Sequence, residues 1–154
     1  MEWPAHYPTE CPPRDAHQPN TELFRITQCS NPRSQDFLSF YEIDYKAVAA
    51  GKRDSMNPRL QNCEARGLSF FNSVEASAKL ALKIPNLKKK KGLCTLYPDP
   101  LTDGLIKHTP SCNSRNHFTW WVPNGISLFS KSLCRSEEFK LKKEELKKLN
   151  AEGQ

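Results

Sequence analysis

The stretch "GLSFFNSVEASAKLALKIPNL" (67–87) has the clearest boundaries in the chain, and the predicted fold is built outward from it. Residues 67–71 are short, apolar and rich in aromatic side chains, as is typical of a β-strand. Asn72 or Ser73 can cap the helix that follows, because a short polar side chain accepts a hydrogen bond from a free N–H of the first turn. Apolar residues recur along that helix, and Pro85 ends it.

Toward the N-terminus, the sequence predicts one more strand and one more helix. "LFRITQC" (23–29) has the apolar frame of a strand. Residues 30–48 predict a short amphipathic helix, with Ser34 as its cap and Phe37, Phe40 and Tyr41 at helical spacing. Residues 49–66 have no period and predict a long loop, a type of segment that often carries function in small domains.

Toward the C-terminus, three more strands are predicted at 88–98, 103–110 and 117–123. The short connections between them favour an antiparallel meander. A short helix is expected at 124–134, followed by a charged helix at 136–149 with a narrow apolar edge. The predicted fold class is therefore α+β: a single small domain of about five mostly antiparallel strands, two packed helices and a charged C-terminal helix.

Proline content divides the chain into three regions. Residues 1–21 contain five of the twelve prolines and predict an extended or disordered arm. The α+β domain is expected at 22–134 and the charged helical tail at 135–154. The N-terminus has no basic region followed by an apolar one, so no signal peptide is expected. No apolar run approaches eighteen residues, so no membrane span is expected either.

The six cysteines have long, irregular spacings and contain no C-x-x-C pair. Disulfides form mainly in oxidising compartments, and no secretory signal is visible. The sequence therefore predicts reduced thiols, no disulfide bonds and a cytoplasmic location.

The net charge of +6 is concentrated in two lysine-rich segments. One is Lys88, Lys89, Lys90 and Lys91, and the other is the C-terminal tail. Such clusters attract anions. They favour an alternative function, in which the chain is a basic nucleic-acid-binding or partner-binding accessory protein without catalysis.

The stretch "HTPSCNSRNHFTWW" (108–121) admits three interpretations. As a metal site it would use Cys94, His108, Cys112 and His117, but these lack the close ligand pairs of zinc sites, so no metal is predicted. As a catalytic strand it would pair a loop cysteine, Cys63 or Cys112, with His108 or His117, but no orienting group is evident, so no catalytic residue is assigned. As a strand it would direct Phe118 and Trp120 into the core, and His117 and Thr119 toward a pocket.

The segment 63–125, together with "LFRIT" and "DFLSF" nearer the N-terminus, resembles a group of small bacterial proteins. The shared motifs are "GLSFF", "VEASA", "PNLKKK" and "HFTWW". The chain is also distantly similar to the ADP-ribosyltransferase-like fold. In one branch of that family an arginine on the first strand binds a phosphate of NAD, and a serine-containing second strand supports the nicotinamide ribose.

Arg25 and Ser69 occupy comparable places, so this resemblance implies NAD as a ligand. The family's catalytic glutamate lies on a later strand, whereas no Glu occurs between 76 and 136 here. Without this glutamate, the resemblance implies a domain that binds a nucleotide, or a degenerate member of the fold, and does not imply ADP-ribosyl transfer.

These features predict a small bacterial protein that binds a nucleotide-like ligand or a protein partner. The resemblance implies a toxin–antitoxin or defence setting. The predicted ligand-binding residues are Arg25, Ser69, His108, His117 and Thr119. Arg25 would hold a phosphate with its planar fork of donors, and His117 and Thr119 would orient a sugar or base. Whether the chain catalyses a reaction is left open.

Overall fold

The strand and helix predicted at 67–87 both form in the computed structural model, which describes residues 1–153. Strand β2 spans Leu68–Phe71, and helix α2 spans Val74–Lys83. Ser73 is the cap of α2, since its hydroxyl accepts a hydrogen bond from the Ala76 N–H at 3.0 Å. Ile84 is extended, as expected for a residue that precedes proline, and this ends the helix.

One antiparallel sheet of six strands forms the centre of the domain. Its spatial order is β4-β5-β2-β1-β3-β6. Besides β2, its strands are β1 (Leu23–Thr27), β3 (Gly92–Leu96), β4 (Leu105–His108), β5 (His117–Trp121) and β6 (Leu133–Cys134). The α+β class is confirmed, with one strand more than the five expected. The segment 124–134, predicted as a helix, instead forms a 3-10 turn at Phe129–Lys131 and then β6.

The predicted meander holds only for its last two strands. β4 and β5 pair with each other, but β3 lies between β1 and β6. All five residues of β3 are buried, and five register pairs join it to β1. β6 pairs with the other edge of β3 through Cys94 and Thr95, so β3 lies inside the sheet.

Four α-helices replace the expected two helices and tail. Besides α2, they are α1 (Phe40–Ala49), α3 (Pro85–Lys88) and α4 (Ser136–Glu152). The cap of α1 is Ser39, whereas the predicted cap, Ser34, begins a separate 3-10 turn. Helix α4 belongs to the core, because Phe139 is fully buried against the cluster formed by α2 and the sheet.

The core lies on both faces of the sheet. Phe24, Phe71 and Leu93 pack beneath α2 and α4 on one face. Phe70 and Trp120 pack on the other face, where the Trp120 indole N–H donates to the Asp103 carbonyl at 2.7 Å. Within residues 1–153, no helix combines the length and the apolar character that a bilayer crossing requires.

The N-terminal arm is fastened to the domain at several points. A disulfide bond joins Cys11 to Cys63, so the expectation of no disulfides is wrong. The Tyr7 hydroxyl donates to the Arg66 carbonyl, and His17 forms a β-bridge with Ile106 at the edge of β4. The two bonded cysteines are 52 residues apart, and their pairing depends on the arm folding back over the loop at 49–66. Sequence spacing does not reveal that contact.

Candidate functional site

A pocket of about 310 Å³ opens where β1 and β2 separate. We call it the anion pocket. Helix α1 forms one wall, the end of α2 and α3 form another, and the loop between β4 and β5 closes one end. Its polar or charged lining residues are Arg25, Ser39, Ser69, Lys90, Ser111, Asn113, Ser114 and His117. No aspartate or glutamate of the described chain lines it.

The pocket exists because two central strands diverge. β1 and β2 share a single register pair, Phe24 with Phe71, whereas β2 and β5 share four. The Arg25 side chain bridges the gap, and its Nη1 donates to the Ser69 carbonyl at 2.8 Å. The Ser69 carbonyl would otherwise accept a hydrogen bond from a neighbouring strand, and here it accepts one from the Arg25 side chain. The sheet remains open there without losing that hydrogen bond.

Arg25 also fixes the segment that leads into α1. Its Nε donates to the Asp36 carbonyl at 2.7 Å, and its Nη2 donates to the Leu38 carbonyl at 3.4 Å. Burial lowers the pKa of Arg25 to about 10, which still leaves the group charged at pH 7. No carboxylate of residues 1–153 lies within ion-pairing distance of it. The carboxylates of Asp36 and Glu42 act on Arg25 from a greater distance and support its charged form, so the guanidinium stays charged beside the pocket.

Lys90 adds a second positive charge to the pocket. Burial lowers its pKa, and the nearby charge of Arg25 lowers it further. The mutual repulsion of these two cations is unfavourable, and the charge of Asp36 offsets it only in part. An anion between them would relieve it.

His117 faces the pocket from the start of β5. Its Nδ1 lies 3.0 Å from the Thr109 carbonyl oxygen and 2.8 Å from the Thr109 hydroxyl. We assign a proton to Nδ1 because a carbonyl can only accept. Burial lowers the pKa of His117, so the ring is neutral at pH 7. Nε2 is then a hydrogen-bond acceptor, without a partner elsewhere in the described chain.

Thr119 lies behind the pocket. It is buried, and its hydroxyl is 2.8 Å from that of Thr109. A Cβ atom at Gly67 would collide with its Cγ2, so Thr119 packs directly behind the glycine that lines the pocket. Thr119 therefore positions Thr109 and, through it, His117.

His108 lies on the opposite face of the sheet from His117. It is the register partner of Phe118, and its ring packs 5.0 Å from the Phe118 ring. Its Nε2 contacts the Arg115 carbonyl at the surface. The structure thus brings Arg25, Ser69 and His117 to one pocket, places Thr119 behind it and leaves His108 outside it.

Several lining residues are not predicted from the sequence. The lysine run predicts Lys90 only as part of a nucleic-acid surface. Phe40 is expected on the apolar face of a helix, but it is 60% exposed at the pocket's rim, where Ile43 is 50% exposed. The sequence contains one signal for this wall of the pocket. Ser39 and Glu42 form a capping sequence that starts α1, which places Phe40 and Ile43 in its first turn.

The alternative sites in the stretch 108–121 do not assemble in the described residues. No group of three or more His, Cys, Asp or Glu side chains within 1–153 is placed to hold a metal ion. Cys94 is buried, and burial raises the pKa of its thiol to about 12, whereas Cys112 is exposed.

Comparisons with protein-family models, with curated proteins and with solved structures found no match for this chain.

Proposed function

We propose that the chain binds an anionic, nucleotide-like ligand in the anion pocket. The observation that carries this proposal is the positive charge of the lining. Arg25 and Lys90 both line the pocket, and no carboxylate of the described residues does. Small-molecule sites are mostly apolar, with a few polar groups that fix orientation. This pocket has that composition, since Phe40, Ile43 and Leu87 provide apolar walls beside the two cations.

Each polar group has a role in such a complex. Arg25 uses three of its five N–H donors on carbonyls, so two remain for a phosphate. Lys90 contributes a second, mobile donor to the same anion. The neutral His117 ring can accept a hydrogen bond from a sugar hydroxyl through Nε2. The ring of a base would pack against the apolar walls.

NAD is the ligand that the resemblance to the ADP-ribosyltransferase-like fold implies, and it belongs to this proposal. A volume of about 310 Å³ is at the small end of ligand sites, so the pocket would enclose a mononucleotide-sized part of a dinucleotide. No acidic residue of the described chain lines the pocket that could take the role of the family's glutamate. We therefore propose binding without transfer.

A bacterial toxin–antitoxin or defence setting is part of the same proposal and rests on the resemblance alone. A cytoplasmic location is expected from the sequence, and the Cys11–Cys63 bond argues against it. Disulfides persist mainly in oxidising compartments.

Lys90 is the residue whose replacement tests this proposal most cleanly. Replacing Arg25 would also leave three carbonyls without a donor, so a loss of binding there would be ambiguous. Lys90→Gln removes a charge from the lining and leaves those bonds intact. Lys89→Gln is the matched control, because it makes the same charge change one residue away and outside the lining.

The measurement is the thermal midpoint of the protein during titration with NAD, ADP and adenosine. Ligands that bind the native state raise the midpoint by mass action. We expect NAD and ADP to raise it and adenosine, which lacks a phosphate, to have little effect. Lys90→Gln should weaken NAD about tenfold, equivalent to about 1.4 kcal/mol, and Lys89→Gln should not. No shift with either phosphate ligand, or equal losses in both variants, would contradict the proposal.

A further inference from the structure

A second cationic feature also borders the C-terminal end of α2 and α3. A groove of about 540 Å³ separates the end of α2 and α3 from the C-terminal half of α4. We call it the lysine groove. Its lining residues are Ala81, Leu82, Lys88, Lys143, Lys147, Asn150 and Ala151. None of them lines the anion pocket.

The groove unites two lysine clusters that are far apart in the sequence. Helix α4 packs on α2 through the buried side chains of Phe139 and Leu146. This packing carries Lys143 to the run at 88–91, where its Nζ donates to the Lys90 carbonyl at 3.5 Å. The same Nζ lies 4.1 Å from the centroid of the Phe139 ring. Lys143 is therefore held in place, unlike a lysine extending freely into solvent.

The charge of the groove is uncompensated. The ion pairs of lysines in residues 1–153 involve Lys79, Lys107, Lys131 and Lys142, none of which lines the groove. No acidic side chain of the described chain lines it either. Burial lowers the pKa of Lys143, and the charge of Lys147 lowers it further. Three ammonium groups thus converge on one concave surface, and no described side chain neutralises them.

We propose that the lysine groove binds the sugar–phosphate backbone of a nucleic acid. Lysine binds phosphate as a point charge, and two of these lysines are one helical turn apart, at 143 and 147. No aromatic or arginine side chain of the described residues lines the groove, so it offers no platform for stacking bases and no fork for reading base edges. Binding should therefore depend on phosphates, be independent of base sequence and weaken steeply with salt. This proposal does not rest on the anion pocket.

The test uses the double variant Lys143→Gln/Lys147→Gln of the full chain. The matched control is Lys142→Gln/Lys148→Gln, which makes the same net charge change on the same helix outside the groove. Affinity for a fluorescent duplex oligonucleotide is measured by anisotropy between about 50 mM and about 200 mM salt. A second duplex of unrelated sequence and a polyglutamate competitor complete the series.

We expect the groove variant to bind at least about tenfold more weakly. In the groove variant, the magnitude of the negative slope of log affinity against log salt should be smaller by about two. Each of the two replaced lysines neutralises one phosphate in the wild type. The control variant should bind less than about threefold more weakly, and both duplexes should bind equally. Equal losses of affinity in the two double variants, a flat salt response in the wild type, or displacement of the duplex by polyglutamate at equal charge concentration would overturn the proposal.

Unfolding is separated from loss of binding by two further checks. Circular dichroism should show the same helix content in all variants. Lys88→Gln, which changes α3 and leaves α4 intact, should also weaken the duplex, because Lys88 lines the groove from its other side. Wild-type affinity in Lys88→Gln would count against the groove as the binding surface.

Discussion

His117 shows how the fold determines the chemistry of a single residue. Its ring is half-buried beside Phe71, and its Nδ1 contacts the main chain and hydroxyl of Thr109. Burial lowers the pKa of the ring, with the contact to the Thr109 carbonyl opposing that change. In the unfolded chain the ring is hydrated and has its ordinary pKa of about 6.5. The folded state therefore binds a proton here less readily than the unfolded state does.

This difference predicts that the protein loses stability as the pH falls through the range just below 6.5. The unfolded state takes up the proton first, so protonation pulls the equilibrium toward unfolding. His117→Asn retains a donor toward Thr109 but cannot titrate, so its unfolding midpoint in urea should fall less between about pH 7.5 and about pH 5.5 than that of the wild type.

The matched control for this measurement is His108→Asn, because His108 is the exposed histidine of the neighbouring strand. Its pH dependence should follow the wild type. The expectation fails if His117→Asn and His108→Asn lose stability with acid to the same extent.

Three of the predicted residues line the pocket: Arg25 and Ser69, which the family resemblance indicated, and His117, which strand alternation indicated. Neither source gave the arrangement that brings them together. Alternation along a strand predicts that His117 and Thr119 share a face, as they do. It does not give the register against the next strand, which pairs His108 with Phe118 and turns it away. Lys90 could not be assigned to the pocket from the sequence, because the packing of α3 beside the open gap brings it there.

At the scale of elements, short polar side chains decide where helices begin. Ser39 accepts a hydrogen bond from the Glu42 N–H at 3.2 Å, and the Glu42 carboxylate accepts one from the Ser39 N–H at 3.1 Å. This reciprocal pair is a capping box. Ser34 was the expected cap of this helix, but only Ser39 has a glutamate three residues later. The start of α1 is therefore readable from the sequence, given that pairing rule.

The capping box predicts a measurable difference between these two serines. Ser39→Ala should lower the free energy of unfolding by about 1 kcal/mol, because the first turn of α1 loses its side-chain acceptor. Ser34→Ala should change it by less than about 0.5 kcal/mol, since its side chain is exposed and caps no helix. Urea unfolding followed by circular dichroism compares them, and equal effects would show that the box does not stabilise α1.

Sheet topology was less accessible from the sequence than the elements themselves. Strands β1 to β5 were each predicted from apolar patterning, whereas β6 has two exposed residues and no pattern to detect. It forms because Leu133 and Cys134 pair with the buried strand β3. Likewise, chain proximity predicted that β3 would pair with β4, but β3 pairs with β1 and β6 instead.

At the scale of the whole molecule, the arm and the long loop form one connected structure. Arg66 is buried under the Tyr41 ring and donates to the carbonyls of His6 and Gln61. The Trp121 indole N–H donates to the Cys63 carbonyl at 2.9 Å. The Cys11–Cys63 bond thus joins the arm to a loop that leads directly into β2, and Gly67 and Ser69 of the pocket follow that loop.

The disulfide should therefore stabilise the whole domain. A bond that closes a loop of about 52 residues lowers the conformational entropy of the unfolded chain, which raises the free energy of unfolding by about 4 kcal/mol. The variant Cys11→Ala/Cys63→Ala should lose up to that amount in urea unfolding under non-reducing conditions, whereas Cys112→Ala, at an exposed free thiol, should unfold as the wild type does. Reductant should lower the wild type to the level of the double variant and leave the double variant unchanged. A thiol assay in denaturant, without reductant, tests whether the bond forms at all. We expect four reactive thiols, those of Cys29, Cys94, Cys112 and Cys134. Reactive thiols at Cys11 and Cys63 would show that the bond does not form.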